Sequence, residues 1–180
     1  MQGKLNTYSQ WSKYADWQPD NTEAQNKILE PLKTLVTDRG SLTQALKTID
    51  ESSFEVEVLS EEVACPYPHE QIKLNRSRDQ HALIREVELC LYAEPVVFAR
   101  SIIPLSLSKQ GINSLAGLGT TPLGQVLFVD GNIRVSKRDF LFFNDAEQDL
   151  VARRTPYDYL GKTILVSEFF LPSITKLILR

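Results

Sequence analysis

A carboxylate inside an apolar run is the residue of this chain with the clearest chemical potential. Glu168 lies in the segment 163–172, and a strand with a two-residue period puts it on the same face as Ile164, Val166 and Phe170. Burying an unpaired carboxylate costs several kcal/mol, so Glu168 requires a partner, a proton or a ligand. This requirement makes it a candidate for catalysis or ligand binding.

Two arginines interrupt other apolar runs in the same way. Arg85 lies on the same predicted face of a strand as leucine and valine residues. The other face of that strand, with Glu86 and Glu88, is predicted to face water. Arg100 shares its predicted face with valine, phenylalanine and isoleucine in the next predicted strand. Two inward arginines and one inward glutamate would leave one positive charge in excess in an apolar cavity, which suits a small anionic ligand. The alternative is a set of buried ion pairs with a purely structural role, which alternation alone does not exclude.

Length and composition restrict the class of protein. At 180 residues, the chain is long enough for one domain with a sizeable core. The net charge of −3, with dispersed basic residues, argues against a nucleic-acid surface. No apolar stretch approaches the ~20 residues of a membrane span, and the N-terminus lacks the apolar core of a signal peptide, so a cytoplasmic protein is expected. Cys65, Cys90, His69 and His81 show no metal-ligand spacing, so we expect reduced thiols and no metal.

The pattern of apolar residues and turn signals predicts one α+β domain spanning 1–180, a largely antiparallel sheet of about six strands flanked by helices. The first twenty residues are expected to form an arm or a short helix. Further helices are expected from Asn21-Thr22 to about 36, from Ser41 onward, over 105–118, and from Pro122 through Phe128. Strands are expected at about 54–64, 81–93, 95–103, 133–143 and 163–171, with a hairpin at Glu94-Pro95, a turn at Asp130-Gly131 and part of another strand within 152–156.

Two of the predicted helix starts offer backbone donors to an anion. Ser41 and Gln44 match a capping box, which leaves the N–H groups of the first turn, including that of Leu42, without intrahelical partners. Thr121 is expected to cap the helix that Pro122 opens, and the Leu123 N–H is similarly free. Most capped helices bind only water, so neither motif identifies a ligand site by itself.

Several short motifs occur in a fixed order between about residues 40 and 172. They are Gly40-Ser-Leu-Thr43, Ile84-Arg-Glu86 leading to Cys90, Glu94-Pro95, Ala99-Arg100 with Ile103-Pro104, Thr121-Pro-Leu-Gly124 with Leu127-Phe128, Arg138-Asp-Phe140, Arg153-Arg-Thr155, Gly161-Lys162 and Ser167-Glu-Phe-Phe-Leu-Pro172. In this combination the chain resembles the chorismate lyase (chorismate pyruvate-lyase) family. Residues 1–39, the arm and first helix, match the family only loosely.

The resemblance implies an enzyme that cleaves chorismate to 4-hydroxybenzoate and pyruvate without metal or organic cofactor, in a site buried under helical flaps. It assigns ligand contacts to the side chains of Arg85 and Glu168 and to the main chain at Leu42 and Leu123. Arg85 would bind the ring carboxylate, and Glu168 would act near the 4-hydroxyl, either as a base or as an orienting group. Arg100 would bind the second carboxylate or neutralise Glu168. Leu42 replaces a methionine of better-known members, a change that a main-chain contact should survive.

Two other functions stay open from the sequence. One is a non-catalytic domain that senses a small aromatic acid, because effector-binding domains of some transcription regulators resemble this fold. The chain before residue 40 is expected to be too short and too weakly basic for an accompanying DNA-binding domain. The other is a structural protein with buried ion pairs. The resemblance favours the lyase, expected to be a monomer without nucleic-acid or membrane partners that supplies a quinone precursor and holds its product tightly.

Overall fold

An antiparallel sheet with helices against both faces forms the protein. This computed structural model describes residues 2–75, 80–108, 115, 117–128, 133–145 and 148–179. The helices are α1 (Gln2–Ser12), α2 (Thr22–Asn26), α3 (Glu30–Thr37), α4 (Leu42–Ile49), α5 (Pro68–Lys73), α6 (Leu105–Ser108), α7 (Leu123–Leu127) and α8 (Pro172–Ile178). The strands are β1 (Gln18–Pro19), β2 (Glu55–Ala64), β3 (Ala82–Leu91), β4 (Glu94–Pro104), β5 (Ile133–Val135), β6 (Asp139–Asp145), β7 (Gln148–Tyr159) and β8 (Lys162–Phe170).

The strands of the described ranges form one sheet in the order β1-β6-β7-β8-β4-β3-β2, and β5 pairs with the far end of β7. Every pairing is antiparallel, which confirms the predicted fold class. The described sheet has more strands than the predicted six because β1 is a two-residue strand and because β5 and β6 are separate. None of the helices in the described ranges has the length and apolar character that a membrane crossing requires.

Strand register gives the sheet two distinct faces. Directly opposed residues of antiparallel strands point to the same side. Because Ala99 opposes Glu168 and Glu168 opposes Arg153, these three residues form one row on what we call the front face. Arg85 opposes Ser101 and lies on the same face, one row away. Apolar residues of α2, α3, α4, α7 and α8 cover the front face.

The opposite side of the sheet, the back face, is also covered. Aromatic residues of α1 pack there against Phe98 and Phe169, and Leu74, directly after α5, packs against Ile84 and Ile102. Consequently β4 and β8 are buried almost along their whole length. A row of polar residues nevertheless crosses this face. Its members are Glu86, Arg100, Ser167, Arg154 and Asp139.

Arg100 belongs to this back row, so the prediction that it shares a cavity with Arg85 and Glu168 is wrong. Its guanidinium donates to Glu70 Oε1 at 2.8 Å and to Glu86 Oε1 at 2.7 Å. Burial alone would lower the pKa of Arg100, but these two carboxylates outweigh burial and raise it. Alternation showed correctly that Arg100 is buried, but it could not show on which face.

The prediction that the even-numbered side of β3 faces water is wrong at Glu88. This carboxylate is 2% exposed and accepts a hydrogen bond from the Tyr8 hydroxyl at 2.5 Å, because α1 covers this part of the sheet. Burial and the bond to Glu88 raise the pKa of Tyr8. The N-terminal segment is therefore a helix that covers part of the core.

Several element boundaries differ from prediction for local reasons. The helix expected over 22–36 is broken into α2 and α3, since Pro31 begins a new helix and cannot continue the preceding one. The hairpin between β3 and β4 turns at Tyr92 and Ala93, whose φ angles are 54° and 58°, two residues before the predicted Glu94-Pro95.

Other differences concern segments that the sequence pattern did not resolve. Helices α5 and α8 were not predicted. Of the helix expected over 105–118, the structure shows α6, which ends at Ser108, and 115, 117 and 118 are not helical. The rest of that segment and the predicted turn at Asp130-Gly131 lie outside the described residues.

The strand expected over 133–143 is interrupted at residues 136–138. Val135 opposes Tyr157 and Asp139 opposes Arg154, so three residues face two residues of β7. The extra residue reverses the alternation, so that Val135 and Phe140 both lie on the front face. Such bulges redirect side chains, and the last residue of this one is Arg138.

His69 of α5 connects two layers on the back face. Its Nε2 lies 2.8 Å from the Ser12 carbonyl oxygen at the end of α1, and its Nδ1 lies 3.2 Å from Nη1 of Arg154. A neutral ring that donates from Nε2 and accepts at Nδ1 satisfies both contacts. Burial lowers the pKa of His69, and Arg154 and Arg100 lower it further, so the neutral form is favoured in the folded protein.

We expect Arg100→Met to destabilise the fold, because it leaves Glu70 and Glu86 without their buried cation. The expected loss is about 3–5 kcal/mol of unfolding free energy, measured by urea denaturation. Lys33→Met is the matched control, because it removes a partly exposed pair with Glu30 and should cost less than about 1 kcal/mol. An Arg100→Met protein of unchanged stability would contradict this assignment.

Acidification should destabilise the protein through His69. Its folded pKa lies below that of the unfolded chain, so the unfolded state takes up the proton first as the pH falls below about 6.5. The free energy of unfolding should therefore decrease from that pH downward, and His69→Gln should lose this part of the dependence. His81→Gln, at an exposed site, should retain it. Identical pH profiles for both variants would disprove the assignment.

Candidate active site

A cavity lies between the front face of the sheet and helices α4 and α7. The space free of protein atoms at this site is about 550 Å³, and this volume includes the part that is open to solvent. Its wall is mostly apolar, with a few polar groups at opposite ends. The lining residues are Leu42, Thr43, Val56, Arg85, Val87, Leu89, Ala99, Ser101, Pro122, Leu123, Gly124, Leu127, Phe128, Tyr157, Val166 and Glu168. A mostly apolar cavity with few polar groups is typical of a small-molecule site.

Small side chains keep the centre of the cavity floor low. Arg85 lies on β3 and Glu168 on β8, and β4 runs between them. The front-face residues of β4 at this point are Ala99 and Ser101. Because β4 lies between them, β3 and β8 are about 10 Å apart. The side chains of Arg85 and Glu168 can therefore both contact a flat ligand that lies over Ala99 and Ser101.

Arg85 forms one end of the cavity and is only 2% exposed. Its Nη2 donates to the carbonyl oxygens of Gly119 at 2.6 Å and Thr121 at 3.3 Å, which join the guanidinium to the segment before α7. Its Nε lies 3.3 Å from Glu61 Oε2, yet it makes no hydrogen bond, because the N–H is not directed at that oxygen. Burial lowers the pKa of Arg85 more than Glu61 raises it. A buried cation with an unused donor is an anion-binding group.

Glu168 forms the other end, and its partner is Arg153. Nε of Arg153 donates to Glu168 Oε2 at 2.5 Å, and the Arg153 guanidinium is fully buried. Burial would lower the pKa of Arg153, but Glu168 raises it more strongly. The two charges therefore neutralise each other within this pair, and the second carboxylate oxygen of Glu168 makes no hydrogen bond to the described residues.

Arg153 also holds the chain segment that leads to α4. Its Nη1 lies within hydrogen-bond distance of three carbonyl oxygens at the end of α3, those of Leu35 (3.1 Å), Val36 (3.0 Å) and Asp38 (2.9 Å). These carbonyls lack partners within their own helix, and a cation is favourable at a helix C-terminus. The residue that fixes Glu168 thus also fixes the start of the lid helix α4.

Tyr157 adds a neutral hydroxyl near Glu168. Its side chain lines the cavity and is buried. Burial, and the negative charge of Glu168 after it, raise the pKa of Tyr157 to about 12. The phenol therefore stays protonated at physiological pH and can donate or accept a hydrogen bond.

Helices α4 and α7 close the cavity and contact each other through Gly124. The Ser41 hydroxyl accepts from the Gln44 N–H at 3.3 Å, which confirms the predicted cap of α4. The predicted cap of α7 is shifted by one residue, since Pro122 and not Thr121 is its N-cap. A Cβ at position 124 would meet Ser41 Oγ at 3.1 Å and Thr43 Oγ1 at 3.3 Å, so glycine permits this close approach.

The structure brings four of the predicted site residues together around one cavity, namely Leu42, Arg85, Leu123 and Glu168. It separates Arg100 from them. Sequence reasoning missed Arg153 and Tyr157 as parts of the site. The signal for Arg153 was its position beside apolar residues in the strand that includes 152–156, the same signal that identified Arg85.

A separate set of potential ligand atoms lies away from this cavity. The side chains of Glu57, Glu88 and Cys90 approach within 4.8 Å of one another. Glu57 opposes Glu88 across β2 and β3 and is exposed. Glu88 and Cys90 are buried on the back face, where Glu88 binds Tyr8 of α1. This set has no contact with the front-face cavity, and no role in the site follows from it.

Comparison with known proteins identifies the family. A family model described as chorismate lyase matches residues 12–178. The chain is 36% identical to the probable chorismate pyruvate-lyase of Pseudomonas putida, over 87% of this chain and 93% of the relative. It is 33% identical to that of Nitrosospira multiformis, over 91% and 96%.

The chain belongs to the chorismate lyase family.

Solved structures extend the fold comparison beyond the chorismate lyase family. A possible transcriptional regulator, YydK from Bacillus subtilis, aligns with 95% of this chain and 93% of its own, at a TM-score of 0.51 and 8% identity. The ligand-binding domain of a putative GntR-family regulator from Bordetella bronchiseptica aligns with 66% of this chain and 84% of its own, at 0.51 and 11%. At such identities the likeness concerns the fold alone.

Gly124→Ala should loosen the contact between the two lid helices. The added methyl group forces the Ser41 and Thr43 hydroxyls or α7 to move by a few tenths of an ångström, which disturbs the Ser41 cap of α4. Amide hydrogen exchange within 42–49 and 123–127 should become faster. Gln125→Ala, at an exposed position of α7, is the control and should leave exchange unchanged. Equal protection in both variants would contradict the tight contact.

Proposed function

We propose that this protein is a chorismate pyruvate-lyase, which converts chorismate to 4-hydroxybenzoate and pyruvate to supply a quinone precursor. The observation that carries the proposal is a largely apolar cavity with a buried arginine at one end and a buried glutamate at the other. Chorismate has a carboxylate and a hydroxyl at opposite ends of one ring, so its polar groups match the separation of Arg85 and Glu168. Membership of the lyase family supports the same assignment.

Arg85 binds the ring carboxylate in this proposal. Its Nε has no hydrogen-bond partner, and its buried charge is only partly compensated by Glu61. The main-chain N–H groups of Leu42 and Leu123, in the first turns of α4 and α7, provide further donors to the ligand. The guanidinium hydrogen bonds to Gly119 and Thr121 fix its orientation before the ligand arrives.

Glu168 orients the 4-hydroxyl through the carboxylate oxygen that Arg153 does not engage. Turnover requires loss of the hydrogen on C4 and cleavage of the ether bond at C3. In a cyclic transition state, the C4 hydrogen moves to the vinyl carbon of the enolpyruvyl group as the C3–O bond breaks, which yields pyruvate and the aromatic ring without a cofactor. We favour this route over proton abstraction by Glu168, because a proton on that carboxylate would leave Arg153 as an unpaired buried cation.

The direct test is to incubate the purified protein with chorismate and to follow 4-hydroxybenzoate and pyruvate, with ethylenediaminetetraacetate present to remove metals. Equimolar formation of both products is expected. Binding of 4-hydroxybenzoate without any turnover of chorismate would instead favour a non-catalytic domain that senses a small aromatic acid, and the similar structure from Bordetella bronchiseptica is itself a ligand-binding domain of a putative regulator.

Product affinity should depend on Arg85 more than on Glu168. 4-Hydroxybenzoate keeps the ring carboxylate and the hydroxyl, so we expect it to bind tightly and its release through the lids to limit turnover. Arg85→Ala should weaken its binding at least about tenfold in a titration. Glu168→Gln should lower turnover roughly a hundredfold with a smaller effect on binding.

The exposed residues Arg39 and Glu62 supply matched controls for these variants. Arg39→Ala and Glu62→Gln remove the same charges outside the cavity and should change neither constant. Product binding no tighter than millimolar, or an Arg85→Ala variant with unchanged affinity, would count against the proposed site.

A further inference from the structure

One buried cation near the cavity has no anionic partner. Arg138 is 3% exposed, and among the described residues no carboxylate forms an ion pair with it. Its Nη1 donates to the carbonyl oxygens of Thr37 at 3.0 Å and Val36 at 3.4 Å. Its Nη2 is buried and has no hydrogen-bond partner. An uncompensated buried guanidinium is costly, and this one retains donors that the protein does not use.

The position of Arg138 is next to the Glu168 end of the cavity. It shares the Val36 carbonyl with Arg153, whose Nε binds Glu168, so the two guanidiniums are neighbours. The bulge at residues 136–138 ends at this residue, and Phe140 beyond it opposes Arg153 on the front face. Burial lowers the pKa of Arg138, and the adjacent Arg153 lowers it further, while the negative charges of Glu168 and Asp20 act in the opposite direction.

Charge balance leaves this end of the site positive. Arg85 lines the cavity, whereas Arg138 and Arg153 lie next to its Glu168 end and are not among its lining residues. The ion-pair partners of these three arginines among the described residues are Glu61 and Glu168. One positive charge therefore remains in excess after these pairs form. A dianionic ligand needs a second cation, and Arg100 cannot provide it from the back face.

We propose that Arg138 binds the carboxylate of the enolpyruvyl group of chorismate, an inference that rests on the proposed function. The enolpyruvyl ether is attached to C3, next to the carbon that carries the 4-hydroxyl. Its carboxylate therefore lies toward the Glu168 end of the cavity, next to which Arg138 is buried with its Nη2 unused. Arg85, at the opposite end, holds the ring carboxylate.

This assignment separates the substrate from the product. 4-Hydroxybenzoate has lost the second carboxylate, so it makes no use of Arg138. Loss of the pyruvyl group returns Arg138 to its unpaired state, whereas the contacts of Arg85 and Glu168 persist. Arg138 is thus a specificity-determining residue for the substrate alone.

The test compares Arg138→Gln and Arg138→Lys with the unsubstituted protein, using kcat/KM for chorismate and the inhibition constant of 4-hydroxybenzoate. For Arg138→Gln, kcat/KM should fall roughly ten- to a hundredfold, as expected for a lost charged hydrogen bond. The inhibition constant should change less than about twofold. Arg138→Lys keeps the charge and should recover part of the loss. Arg39→Gln, which removes an exposed arginine from the same region, is the control.

Two outcomes would overturn the inference while leaving the proposed function intact. One is an unchanged kcat/KM in Arg138→Gln. The other is an equal loss for chorismate and 4-hydroxybenzoate, which would reduce Arg138 to a support for the end of α3. No turnover by the unsubstituted protein would remove the proposed function, and this inference with it.

Discussion

Both faces of the central sheet are covered by helices, and this cover constrains the charged groups in the middle of β4, β7 and β8. A guanidinium or carboxylate there cannot reach bulk water, so its partner must come from the protein or from a ligand. On the back face the protein supplies the partners, with Arg100 held by Glu70 and Glu86. On the front face it supplies fewer, since donors of Arg85 and Arg138 stay unused. This difference between the faces is the physical reason to place the function on the front.

The pairing of Arg153 with Glu168 organises the front face. The same guanidinium that fixes the glutamate also binds the carbonyl groups at the end of α3, directly before the lid helix α4. The placement of Glu168 and the placement of the chain before α4 therefore depend on one side chain, and in the proposed function the reacting end of the ligand depends on it as well. Such shared supports give a site rigidity that single contacts from a loop would not provide.

Sequence periodicity could identify buried charges but not their partners. It predicted the burial of Arg85 and Glu168 correctly because a charged residue within an apolar strand is visible in the chain itself. It misplaced Arg100 because alternation fixes the relative side of residues within one strand, whereas the face depends on register between strands. It missed Arg153 as the partner of Glu168 for the same reason, since that contact joins two strands.

The fold class and most strands were predictable, since turn residues and alternation are local. The bulge at 136–138 was not, because nothing in the sequence between Val135 and Asp139 marks one extra residue. Pro31 marks a possible break between α2 and α3 in the sequence. Whether the chain breaks there depends on whether packing favours one helix or two, which the sequence pattern does not show. The motifs of the chorismate lyase family supplied what periodicity lacked, the identity of the ligand expected in the cavity.

The carbonyl groups of residues 35–38 give the N-terminal part of the chain an electrostatic role in a site whose other members all come later. The short motifs that mark the family begin only at Gly40, although the family model extends back to residue 12. A chain shortened to begin at Gly40 would leave the buried guanidiniums of Arg138 and Arg153 without these carbonyl acceptors. Because these contacts come from the main chain, they restrict the backbone path of the segment, a constraint separate from the packing of its buried Val36 side chain.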